Sequence, residues 1–460
     1  MRLEEVPDFK DHWTKLSQWQ LDEMLDKHEM FAASKTGGER AKLGMHNISY
    51  LDLSGRNLSA ADFTGALMAH CDFSEAILND AILFAADLRF ANFSSASMER
   101  IDLRGACMAG ANFEYAKLID ADMRDGVLLK SFSKSGDLTP IVHDDGVAGL
   151  EQATAKGADM TRAKVSDSMI VQTDMTDCNL KNAKFIRADL SKSNLTGCNL
   201  EGTDFTEANL KGAIFCGAVF SNTVLDKTDL SGADLIGAIF DNVDFSLAKT
   251  AGAQLPKSIE DLEGSLRDIL IAHDKWVHSN GKEGKRAVLA KMDLSGVKLD
   301  KVNLSAADLS YATLRKARLS RAELIMADLS YADLGGAILA RADLRGVKLE
   351  RANLVGANLV GAVFSEVAVA SRGGGDWRSN LKRARFCRAM LNGAVLSNAD
   401  LEGSDFRDAD LRDADFTGAI LVDVDFTGAD MRGTNLNKTD QRGVKGLEID
   451  EEEYLRDDDH

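Results

Sequence analysis

An apolar residue returns at every fifth position over most of this chain, and neither an α-helix nor a plain β-strand can satisfy that period. Ala208-Asn209-Leu210-Lys211-Gly212 is a typical copy: a small residue, then Asp or Asn, then a Leu or Phe centre, then two variable residues. Between Met160 and Phe245 the centres include Leu180, Phe185, Leu190, Leu195, Leu200, Phe205, Leu210, Phe215 and Phe220. Two residues before each centre sits Ala, Ser, Thr, Cys or, once, Val. Such a pattern has to be read as a repeat architecture.

Two inward residues per five, with one outward residue between them, describe one side of a four-sided coil. The centre fills the axis and the small residue fits where the chain turns. Four sides close a coil of about twenty residues, and successive coils pair backbone to backbone at about 4.8 Å. One coil cannot bury its apolar side alone, so stability comes from stacking. The pattern resembles the pentapeptide-repeat family, over sixty-four countable repeats. The resemblance implies an all-β solenoid, a right-handed quadrilateral β-helix. It implies little about function, because one fold hosts many roles.

Residues 1–42 fall outside the repeat. Leu21, Met24, Leu25, His28 and Phe31 follow helical spacing, and Ser17-Gln18-Trp19-Gln20 fits a capping box before them. This predicts a helix that covers the open end of the first coil, with Trp13 and Trp19 adding apolar area. Centres in register run from Leu43 to Leu128, giving run one over 43–128. Residues 129–157 leave the register. Lys134-Ser135-Gly136-Asp137, Pro140 and His143-Asp144-Asp145-Gly146 are turn chemistry, and Val147 to Lys156 is compatible with a short helix. Run two occupies 158–255.

Residues 256–286 repeat the opening. Leu266, Ile269, Leu270, His273 and Trp276 match Leu21, Met24, Leu25, His28 and Phe31 at a constant offset, so the chain reads as a tandem duplication. The expected organisation is two tandem arrays, each preceded by a short α-helical segment. Run three spans 287–364, a second insert 365–380, run four 381–436 and an acidic tail 437–460.

Composition narrows function mainly by exclusion. The formal net charge of −18 argues against generic nucleic-acid binding. It is compatible with a surface that mimics DNA, yet Asp before each centre makes any long array acidic. No run of apolar residues is long enough to span a membrane, and the N-terminus shows no apolar signal region, so a cytoplasmic location is expected. Cys71, Cys178 and Cys198 occupy the small inward position, and the last two should stack one coil apart as reduced, packed thiols. The three prolines, Pro7, Pro140 and Pro256, lie outside the runs.

No catalytic constellation, zinc spacing, phosphate loop or dinucleotide fingerprint is present in the sequence, so no enzyme activity and no cofactor are expected. His28 and His273 suit structural, hydrogen-bonded roles better than a proton relay. Gly373-Gly374-Gly375 lacks the Lys-Ser or Lys-Thr that a phosphate loop needs.

The stronger signal is charge that the repeat does not require. Positions twenty apart share a face, so Lys301, Arg321 and Arg341 form a like-charged column, with Tyr311, Tyr331 and Arg351 opposite. Arg372, Arg378, Lys382, Arg383, Arg385 and Arg388 continue the basic theme against Glu366 and Asp376. Run four then turns acidic, Asp405 over Asp425 and Asp410 over Asp430. Trp377 in the second insert is either an exposed anchor or tucked onto the coil.

These features point to a non-catalytic interaction scaffold, a rod that docks a protein partner through Lys301, Arg321, Arg341, Arg351, Trp377, Arg378, Lys382, Arg383 and Arg385. The other reading is a DNA-mimicking modulator of a type II topoisomerase (gyrase), as the resemblance implies for some family members. Sequence drift on a tolerant exterior is the plain alternative to both.

Overall fold

Backbone pairing in the computed structural model follows the five-residue period. The structure describes residues 13–131, 138–140, 149–257, 265–368 and 377–447. The turn sequences 134–137 and 143–146, Arg372 to Asp376 and the acidic residues from 448 onward lie outside those described. The chain divides into two units, Met1–Gln254 and Leu255–His460, each with its own apolar core.

Within each unit the residue before a centre bridges the residue twenty places on, in parallel: Asp52 with Asp72, Asp72 with Asn92, Asp293 with Thr313. Four five-residue repeats therefore make one coil. Each centre donates its N–H one coil ahead, as Leu53 does to the carbonyl of Asp72 at 2.7 Å. The Asp72 N–H in turn reaches back to the carbonyl of Leu51 at 3.1 Å. These bonds occupy the backbone groups at each rung and leave no alternative register.

The corner explains the repeat consensus. Between centres the chain turns through a left-handed residue, with φ of 67° at Tyr50, 60° at His70 and 59° at Phe90. The Asp or Asn before the centre stabilises that turn by accepting the next corner N–H, as Asp52 does from Ser54 at 2.8 Å and Asp62 from Thr64 at 3.0 Å. The acidic excess is thus partly turn chemistry. Where the small inward position carries a hydroxyl or thiol, it donates to the centre carbonyl of the preceding coil: Thr203 to Leu180 at 2.7 Å, Cys178 to Ala155 at 2.8 Å and Cys198 to Met175 at 3.0 Å. The six cysteines are free. Burial raises the Cys198 thiol well above its ordinary pKa and pushes Cys71 up to about 12, so both stay protonated.

Helix α1, Gln18–Ala32, begins with the full capping box, Ser17 and Gln20 exchanging hydrogen bonds. Strand β1, Thr14–Lys15, pairs with β2, His46–Asn47. The Gln18 side chain then satisfies both backbone groups of Asp52, at 2.8 and 2.9 Å. The open edge of the first coil is covered in this way. Leu21, Leu25 and His28 are the fully buried face. Phe31 stays largely exposed and Trp19 projects into solvent, so the expected contribution of Trp19 to the core is corrected. Trp13 does engage, donating Nε1 to the carbonyl of Gly65 at 2.7 Å.

The first insert differs from its expected limits. The last fully buried centre before it is Met123, not Leu128, and the coil resumes at Gly149. Asn112 consequently pairs with Thr154 and Lys117 with Asp159. The residues from Gly149 to Lys156 are two repeats centred on Leu150 and Ala155, not a helix, because their backbone groups complete the next coil. Between these points β3, Leu129–Ser131, pairs antiparallel with β4, Leu138–Pro140. Later in the unit β5, Val219–Ser221, pairs with β6, Ile239–Asp241, in parallel.

In the second unit α2, Leu266–His278, starts at the N-cap Ser265. Coils continue past Leu436: Ile420 bridges Asp440 and Asp425 bridges Lys445, so the start of the supposed tail belongs to the solenoid. The second insert ends earlier than expected, because Ser379 is buried and Asn380 already bridges Lys348. No helix among the described residues is long and apolar enough to cross a membrane.

Candidate functional site

Corner residues twenty apart stack side chain over side chain, so each corner is a column whose composition can be read upward. In the first unit two such columns alternate in charge. Asp80 and Arg100 form a paired contact with both distances 2.7 Å, and Asp120 pairs with Arg162 in the same column. Asp167 and Arg187 meet at 2.7 Å, and Glu207 and Lys227 at 3.0 Å. Another column is aromatic, Tyr50 on His70 at 4.7 Å and His70 on Phe90 at 5.0 Å. Phe90 then lies over Gly110, where a Cβ would strike the ring.

A corner column of the second unit departs from this alternation. Lys301, Arg321 and Arg341 occupy one corner column, with φ of 61°, 57° and 57°. All three are exposed, and among the described residues no carboxylate lies within ion-pair distance of any of them. Their neighbours off the column are paired: Arg318 with Asp300 at 3.0 Å, Arg345 with Asp343 at 2.7 Å and Lys348 with Asp328 at 3.7 Å. Three cations about 4.8 Å apart repel one another, and the solenoid gains nothing from them.

The column of Tyr311, Tyr331 and Arg351 lies ten residues, half a coil, away. The two rings stack at 4.9 Å, the Arg351 guanidinium lies 5.8 Å from the Tyr331 centroid, and Lys291 lies 5.9 Å from Tyr311. These cations are engaged with aromatic faces, which sets Arg351 apart from the free column.

The residues expected at the second insert do not act as one basic cluster. Lys382 is held by Glu402 at 2.6 Å and Asp400 at 3.2 Å, which raise its pKa. Arg383 adds to the positive field that lowers the Glu402 pKa. Arg388 reaches Asp408 at 3.9 Å. Arg385 sits on the ladder between Asn353 and Asp405. Arg378 is exposed beside Trp377. Trp377 itself is tucked: Nε1 donates to the carbonyl of Gly346 at 3.0 Å, and its backbone pairs with Val367. Gly346 leaves the space that the indole and Val367 fill.

Run four is less acidic in effect than its sequence. Asp405, Asp410, Asp430 and Asp440 each hold an Arg two residues on, at 2.6 to 2.7 Å. Arg432 and Arg412 draw Asp430 down to about 2. The expected split into a basic and an acidic half is therefore largely neutralised by local pairs.

Among the described residues no cluster of His, Cys, Asp and Glu could hold a metal ion. Sequence reasoning missed the groove beside α2, lined by Arg267, Ile271, Lys275, Lys298 and Val302. Aligning the two copies residue by residue would have marked the lost bridge, since Ile271 and Val302 stand where the first copy has Asp26 and Arg56, but not the open space itself.

A family model described as pentapeptide repeats matches eight segments, 48–83, 86–125, 183–222, 213–249, 286–324, 327–365, 377–408 and 409–444, which together exceed half the chain. The chain belongs to the pentapeptide-repeat family. Solved structures similar to it include other pentapeptide-repeat proteins. HetL, involved in heterocyst differentiation regulation in Nostoc sp. strain PCC 7120, is 24% identical, over 62% of this chain and 89% of that one, with a TM-score of 0.22. QnrB1, a plasmid-mediated fluoroquinolone resistance protein, is 21% identical, over 47% and 86%, at 0.19. Rfr23 from the cyanobacterium Cyanothece 51142 is 25% identical, over 35% and 86%, at 0.14. Among curated proteins none matches this pentapeptide-repeat chain.

Proposed function

We propose that this chain is a non-catalytic scaffold, two tandem right-handed quadrilateral β-helical arrays that dock a protein partner in the cytoplasm. The observation that carries the reading is the unpaired column of Lys301, Arg321 and Arg341. Among the described residues, other corner cations without a carboxylate, such as Lys192 and Lys316, stand singly beside a glycine of the next rung, whereas here three cations stack in succession. A column that costs stability and contributes no internal contact has its use outside the molecule, as a positive edge that steers and orients an anionic partner. Trp377 and Lys382 are committed to contacts within the coil, with Gly346 and with Asp400 and Glu402, and do not serve as its anchors. The alternative, mimicry of DNA before a topoisomerase, needs an unbroken acidic stripe, and the Asp–Arg pairs of run four interrupt one.

The test is capture of partners by the full chain and by a Lys301→Glu, Arg321→Glu, Arg341→Glu variant, in parallel at low and high salt. The proposal expects a partner that is held by the first, lost by the second and released by salt. Equal retention by both would sink it, and inhibition of gyrase supercoiling by both would put mimicry in its place.

A further inference from the structure

The two units carry the same cap, and only one is closed. His28 and His273 make the same bond, to Ala41 and Ala287, and Arg40 and Arg286 reach the carbonyls of Ala60 and Ala306. In the first unit the space between helix and coil is sealed by Arg56, which holds Asp26 at 2.6 Å and Glu29 at 2.9 Å over fully buried Leu21 and Leu25. In the second unit the matching residues are Val302, Ile271 and Asp274, and no such bridge can form. A cavity of about 550 Å³ remains, with Leu266, Leu270, Ile271 and Val302 on its apolar floor. Ile271 is 48% exposed. Among the described residues the rim carries Arg267, Lys275, Lys298 and Lys301 against Asp274 alone. None of these four cations has an ion-pair partner among the described residues, and Asp274 is shared with His278 at 3.3 Å.

We propose that this groove and the column rising from Lys301 form one binding site for an acidic amphipathic helix of a partner protein. The inference rests on the docking role proposed above and specifies its occupant. Lys301 belongs to both parts, so the apolar floor opens directly onto the basic column. Successive rungs place cations about 4.8 Å apart. A helix places carboxylates spaced one turn apart at roughly 5.4 Å. Over three rungs the mismatch is about 1 Å, within the reach of Lys and Arg side chains. An extended strand offers same-face carboxylates only about every 6.8 Å and falls out of step. The apolar end of the helix fills the groove and its acidic stripe follows Lys301, Arg321 and Arg341.

The test uses the full chain and a labelled helical peptide bearing Leu residues at one end and Glu at one-turn spacing along one face. Fluorescence anisotropy reads its affinity. The decisive variant, Ile271→Asp with Asp274→Glu and Val302→Arg, transplants the bridge that closes the first unit, and circular dichroism checks that α2 persists. Affinity is expected to fall at least about tenfold in it, and similarly in Arg321→Glu, Arg341→Glu. Loss with the column variant alone leaves the docking reading standing and overturns the groove. No loss with either overturns both. Competition by duplex DNA equal to that by the acidic peptide at matched charge would overturn the helix in favour of a polyphosphate.

Discussion

Nδ1 of His273 accepts the backbone N–H of Ala287 at 3.0 Å, and His28 accepts that of Ala41 at 3.1 Å. Both rings are fully buried. Desolvation lowers both pKa values below 6.5, outweighing the backbone groups of Leu58 and Ser59 at His28 and of Ser305 at His273. Arg40 and Arg286 push in the same direction as burial, and Glu29 and Asp274 weakly against it. A proton on Nδ1 would turn the acceptor into a donor facing a donor.

The pH dependence follows from that bond. The folded pKa is depressed, so the unfolded chain takes up the proton first as pH falls. This contribution is complete above about 6.5 and shrinks below it. Thermal melts followed by circular dichroism should show the wild type losing stability between pH 7 and pH 5.5. A His28→Gln, His273→Gln variant should lose markedly less over the same interval. Identical slopes would show that the histidines do not set this dependence.

Phe73, Phe93 and Phe113 stack along the axis with centroids 4.8 and 5.0 Å apart. Phe93→Ala should cost about 3–5 kcal/mol, because neighbouring coils are tied by backbone bonds and cannot collapse into the gap. Phe93→Leu should cost clearly less. Urea melts of both variants measure this, and equal losses would argue that the axis repacks.

Gly149 sits where the coil resumes, at φ 146°, and a Cβ there would collide with the carbonyl oxygen of Met169. Gly55, at φ 65°, has open space around the same position. Gly55→Ala should therefore cost only the left-handed penalty, about 1 kcal/mol, and Gly149→Ala more than about 2 kcal/mol. Equal melting midpoints would contradict the close approach at Gly149.

Charge reversal should act in opposite directions in the two units. Arg321→Glu relieves repulsion from Lys301 and Arg341 and should raise the melting midpoint at low salt. Arg100→Glu breaks the pair with Asp80 and should lower it. Both effects should fade in 1 M salt. A destabilising Arg321→Glu would mean that the cation has an internal role.

The sequence by itself determined the coil. The five-residue period names Leu53, Phe93 and Leu304 as axis residues, and each is fully buried. The helical spacing of Leu21, Leu25 and His28, with Ser17 before it, also specified the first cap. Those features are local, or repeat at fixed intervals, so a linear reading reaches them.

Only the tertiary structure decided which charges are free. Lys382 and Arg341 look alike in sequence, yet one is held by Asp400 and Glu402 on the next rung and the other has no such neighbour. The return to the coil at Leu150 was hidden too, because an insert of unknown length erases the phase and only pairing of Asn112 with Thr154 restores it. The groove at Ile271 depends on a helix meeting a coil some thirty residues later in the chain. Each of these is a relation across rungs or between elements, set by stacking and by side-chain geometry, and a one-dimensional pattern does not contain it.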